Sequence, residues 1–127
     1  MREILFRGKT EKGAWVTGDW VRFVNLGNSV IWQSNIGKKV IPETVGQYIG
    51  LTDKNGTKIF EGDIVKLFLR DCVEIGVIQY NDKMYRFVFC HISIDGEYGG
   101  EYGFDMTCVF EVIGNIHDNP ELLGVQE

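Results

Sequence analysis

Three cysteines and two histidines are the side chains best suited to soft-metal or nucleophilic chemistry, and their spacing argues against both. Structural zinc sites pair their ligands at short spacings, and Cys72, Cys90 and Cys108 contain no Cys-x-x-Cys pair. Cys90 and His91 are adjacent, but on a strand their side chains point to opposite faces and chelate poorly. Nothing in the spacing brings a cysteine together with His91 or His117 as nucleophile and base. The thiols read as reduced, packed cysteines, their equal spacing reflecting similar positions on successive strands.

The carboxylates suggest two further chemistries. Residues 53–63, beginning Asp53-Lys54-Asn55-Gly56, invite a calcium-loop reading, yet glycine falls fourth rather than sixth and strands flank the segment. A reverse turn fits better, with Asn55 and Gly56 supplying positive φ angles. In Glu61-Gly62-Asp63 the acid opens an apolar strand, as in small SH3-like barrels, where it ties down a turn. Asp63 is expected to accept backbone N–H bonds; an acid–base role needs a second titratable partner, and none is evident.

Residues 95–105 hold Gly-Glu-Tyr-Gly twice in succession and read as a surface loop or a long hairpin tip. Their functional alternative is a recognition arm. Tyr98, Tyr102 and Phe104 would anchor the contact, and Glu97 and Glu101 would steer a basic partner. No catalytic constellation emerges, so the expectation is a non-enzyme with no cofactor and no metal.

These residues must be positioned by short strands. Sixteen glycines and two prolines punctuate apolar and aromatic stretches, the rhythm of an all-β domain with tight turns. Strands are expected at 4–7, 15–23, 30–33, 45–50, 64–70, 73–80, 85–92 and 108–113. The apolar face switches parity near Gly76, which predicts a bulge there, and Asn81-Asp82-Lys83 is a hairpin connection. Asn119 as N-cap, Pro120 as first residue and Gly124 as stop predict a short C-terminal helix. Trp15, Trp20 and Trp32 are expected in the core, except that Trp15 and Trp20 differ in parity, which points one of them at a subunit interface. The fold expected is one mainly β domain over 1–127, a small antiparallel barrel-like structure.

The 127 residues suffice for one self-supporting core, and no apolar run approaches the ~20 residues that span a bilayer. The charged start is too short for a signal peptide, so a cytoplasmic location without membrane contact is expected. A net charge of −5 repels phosphate backbones unless the basic residues gather on one face. Along the chain they are scattered, the longest run being Lys38-Lys39, so nucleic acid is not the expected partner.

Three segments stand out together. The opening Arg2-Glu3-Ile4-Leu5-Phe6-Arg7 with Gly18-Asp19 is one. The middle segment runs from Val40-Ile41-Pro42-Glu43-Thr44-Val45-Gly46-Gln47-Tyr48-Ile49-Gly50-Leu51 through Asp53-Lys54-Asn55-Gly56 to Ile59-Phe60-Glu61-Gly62-Asp63-Ile64-Val65. The third is the ending from Glu111-Val112-Ile113-Gly114-Asn115 to Asn119-Pro120-Glu121-Leu122-Leu123. In these segments the chain resembles YopX family proteins, while residues 66–110 match loosely. The resemblance implies a phage or prophage origin in bacteria and a tendency to self-associate, and it carries no catalytic residues. The expected function is a non-enzymatic phage accessory protein that forms a homo-oligomer and binds a host or phage protein. Two other readings compete with it. One is a nucleic-acid-binding β-barrel, which requires a clustered Arg/Lys face; the other is a hydrolase or metal-dependent enzyme, which requires a deep pocket of convergent polar groups.

Overall fold

β-Branched and aromatic residues at alternating positions suit a pleated, half-buried surface, and they make strands of most of the chain. The computed structural model describes residues 3–23, 27–92, 98–104 and 107–123, with the backbone alone over 98–102. The protein is mainly β, built of antiparallel sheets, and its chain divides into two units, Met1–Gly50 and Leu51–Glu127.

In the first unit, β1 (Phe6–Lys9), β2 (Trp15–Phe23), β3 (Asn28–Gln33), β4 (Ile36–Val40) and β5 (Gly46–Thr52, whose last two residues fall past the division) lie in the order β4-β3-β2-β1-β5. Ser34 and Asn35, with φ of 52° and 67°, make the two-residue turn joining β3 to β4. Register sets Trp20 opposite Ile31 and Ile31 opposite Lys38, so these three share one face. On that face Ile31 and Val40 are buried, Val40 against Gly8. The sheet curls: Ile41 N–H donates to Lys9 O at 2.8 Å, and Lys9 N–H donates to Thr44 Oγ1 at 2.8 Å. The end of β4 thus returns to the end of β1, but among the described residues no closed barrel forms, which corrects the barrel-like expectation.

The tryptophans are not the core expected of them. Trp20 and Trp32 are exposed and Trp15 is half-buried, because this narrow sheet is filled by Ile31 and Val40 and the large rings fall at its margin or outer face.

The second unit holds β6 (Lys58–Phe60), β7 (Asp63–Phe68), β8 (Val73–Asn81), β9 (Arg86–Ile92), β10 (Tyr98–Tyr102) and β11 (Val109–Asn115). Five of them form an antiparallel sheet in the order β10-β9-β8-β7-β11. Its centre is covered on both faces: Val77 and Ile78 point opposite ways, as do Ile64 and Val65, and all four are fully buried. That double cover explains the parity switch near Gly76 without a bulge; the ladders of β8 run through Gly76 in unbroken register. Gly76 serves close approach instead. A Cβ there would collide with Cys90 O and lie 2.6 Å from Phe89 Cζ. The register shifts occur elsewhere, between Val112 and Gly114 and between Tyr98 and Gly100.

Two further expectations change. The C-terminal helix is a 3-10 turn over Pro120–Leu123; four residues are too few for an α-helical ladder, and Gly124 lies outside the described residues. Only Cys90 sits in a strand and is buried; Cys72 is exposed in the turn before β8, and Cys108 precedes β11. All three are free thiols.

Candidate functional site

The turn that opens the second unit is built around Asp53. Its Oδ1 accepts from Asn55 N–H and Thr57 N–H at 2.9 Å each, and its Oδ2 accepts from Val112 N–H on β11 at 2.9 Å. Lys54 N–H donates to Phe110 O at 2.9 Å, so the turn is tied to β11 by two bonds. Gly56, at φ 84°, closes it; Asn55 keeps a negative φ, so one residue rather than two carries the left-handed conformation. Burial pushes the Asp53 carboxyl up, but the N–H donors of Val112, Thr57 and Asn55, with Lys54 nearby, outweigh it and hold the group below its ordinary value.

Glu61-Gly62-Asp63 forms the next corner. Buried Asp63 accepts from Phe60 N–H through Oδ2 at 2.8 Å, Gly62 N–H donates to Ile78 O at 2.7 Å, and Ile116 N–H donates to Gly62 O at 2.9 Å. Both aspartates hold backbone donors, which is anchoring chemistry rather than proton transfer.

Residues 98–104 depart from a plain loop. The backbone of Tyr98–Tyr102, including Glu101, pairs with β9 as β10; Glu97 lies outside the described residues. Pairing with β9 imposes extension on a glycine-rich stretch that has little strand preference of its own. Phe104 is half-buried and meets Phe110 edge-on at 5.4 Å, so its ring packs inward instead of standing out as an anchor.

Polar chemistry elsewhere is sparse. Cys90 Sγ lies 3.2 Å from Gln79 Oε1 on one face of the sheet, while His91 Nε2 lies 3.8 Å from Glu74 Oε1 on the other. Among the described residues no group of three His, Cys, Asp or Glu is arranged to hold a metal ion. No helix among them is long and apolar enough to cross a membrane.

What the sequence reading passed over is an apolar surface. Register aligns Val109 with Phe68 and Phe68 with Val73, a cross-strand row over β11, β7 and β8; Ile75 adjoins it on the same face, in a row it shares with Lys66 and Glu111. Val109 is 46% exposed and Val73 50%, Phe68 between them is half-buried, and exposed Ile75 extends the patch. Further along this face, Ile113, Ile116 and Leu123 cover Ile64, Val77 and Ile92. The sheet face is therefore capped at one end and bare at the other. Lys54 Nζ stands 5.3 Å from the Phe68 ring at the patch border. The shared parity of Val73, Ile75 and Val77 was the signal in the sequence; which end would be covered was not.

The family model described as "YopX protein" matches residues 6–124. In fold the chain is similar to the crystal structure of protein EF1440 from Enterococcus faecalis. The two share 23% identity at a TM-score of 0.60, over 97% of this chain and 99% of that one. No curated protein matches.

Proposed function

This chain belongs to the YopX family, and we propose that it is a non-enzymatic phage or prophage accessory protein that associates with copies of itself. The observation that carries this reading is the apolar row Val109, Phe68 and Val73, exposed at both ends and bordered by Ile75. Contiguous exposed apolar surface of this kind marks contact sites in soluble proteins. Its position on a sheet face whose other end is already covered lets a second copy continue the packing. Association frees the outlying surfaces to hold a host or phage protein in the bacterial cytoplasm.

The test is size-exclusion chromatography with light scattering, from dilute to concentrated and at low and high salt. The wild type is expected to run as one defined oligomer, held by apolar contacts and insensitive to salt. Val73→Lys combined with Val109→Lys is expected to yield a monomer with an unchanged circular dichroism spectrum, since both side chains are exposed. A wild type that stays monomeric throughout overturns the reading.

A further inference from the structure

We propose that the first unit carries a groove for single-stranded nucleic acid at the open mouth of its curled sheet. The net charge of −5 conceals a division between the units. Residues 1–50 hold seven Lys and Arg against four Asp and Glu, while residues 51–127 hold six against fourteen. The first unit is thus at +3 and the second at −8. The clustering that phosphate binding requires, absent along the chain, is met within one unit.

The groove consists of two adjoining clefts that share Val16 and Lys38. One has an apolar floor of Val16, Ile31 and Ile36; the other runs between the β1–β2 turn and β4, where Lys12, Lys38 and Lys39 line it. All three lysines are exposed, and none forms an ion pair among the described residues. Among the described residues Glu11 is the one acidic residue along the lining. Exposed Trp20 stands in the same cross-strand row as Ile31 and Lys38, two strand spacings or about 10 Å from the lysine. On the opposite face Arg7 Cζ lies 4.7 Å and Lys9 Nζ 5.9 Å from the Trp15 ring centroid, adding positive charge around the unit.

This arrangement alternates flat apolar surface with point cations. A single strand presents the matching alternation, bases that stack on aromatic and apolar surface and phosphates that meet lysines. Duplex DNA fits worse, because its base faces are already stacked. The acidic second unit of another copy would satisfy the charge but bring no planar groups to the apolar floor or to the part of Trp20 left exposed by Phe6, whose ring lies 5.5 Å from it.

The test is fluorescence anisotropy of a labelled oligothymidylate titrated with the full chain. Binding through three lysines gives a slope of log affinity against log salt near −2, about a 20-fold loss from about 50 to about 200 mM salt. Replacing Lys12, Lys38 and Lys39 by Gln is expected to lower affinity at least about 10-fold and flatten the slope. Trp20 fluorescence is expected to be quenched on binding. The single variant Lys38→Glu, with circular dichroism as the folding check, gives the same direction if the triple variant folds poorly. Absence of binding at low salt, or equal binding by a folded lysine variant, overturns the proposal. It is also overturned if the oligonucleotide fails to bind while the lysine variant abolishes a salt-sensitive self-association, which would make the groove's occupant a second copy.

Discussion

Replacing Asp53 by Asn tests whether one carboxylate holds the entrance of the second unit to its last strand. Asp53 is 7% exposed, and its carboxylate accepts three backbone N–H bonds, from Asn55, Thr57 and Val112. Hydrogen bonds to a charged group contribute about 1.5–3 kcal/mol each, and bonds sharing one acceptor group do not add in full. Asn retains one carbonyl oxygen, enough for Asn55 and Thr57, but turns its NH2 towards the N–H of Val112. The expected loss is about 2–3 kcal/mol in urea unfolding followed by circular dichroism, and about 10 °C in Tm for a chain of this length. The dependence on pH separates charge from shape. Since the folded carboxyl titrates below its ordinary value, its stabilisation is fully present above about pH 4 and fades as pH falls through the folded value. The gap between wild type and Asp53→Asn should be constant from neutral pH to about pH 5 and shrink in stronger acid. A loss under about 0.5 kcal/mol, or a gap unchanged in acid, refutes the reasoning.

Two further substitutions probe the backbone. Tyr85 closes the β8–β9 turn at φ 55° with its side chain 82% exposed, so Tyr85→Gly should raise stability by about 0.5–1 kcal/mol, seen as a higher urea midpoint; a lower midpoint would mean the ring makes a stabilising contact. Gly76→Ala forces a methyl group against Cys90 O and the Phe89 ring, and should cost about 3 kcal/mol or more, read as a lower Tm or loss of the folded spectrum.

Strands with clear periodicity were legible in the sequence: residues 15–23 are β2 with the expected bounds. Two strands outside those expected, β4 and β10, have residues that argue against extension. β4 contains Gly37-Lys38-Lys39 and is made a strand by the tight turn at Ser34 and Asn35, and β10 is made one by pairing with β9. Tyr85, expected to start a strand, lies in the preceding turn, where Asn81 Oδ1 accepts from Lys83 and Met84 N–H. Asp53 and Asp63 stood out as turn carboxylates because an acid in a short glycine-containing turn has a local cause. The donor from Val112 had none, because it comes from 59 residues away. The charge division was present in the sequence but invisible without the boundary near residue 50.

That separation also sets an order of events during synthesis. A ribosome adding roughly 5–20 residues per second needs about 3–12 s to pass from Asp53 to Val112. Until then the Asp53 carboxylate can hold only its near neighbours, and β7, β8 and β9 can pair among themselves with one edge of β7 open. The first unit has all of its own strand partners long before that. The nascent chain thus spends seconds with a formed N-terminal unit and an unfinished sheet behind it, the interval in which the open edge of β7 is most exposed to mispairing with another chain.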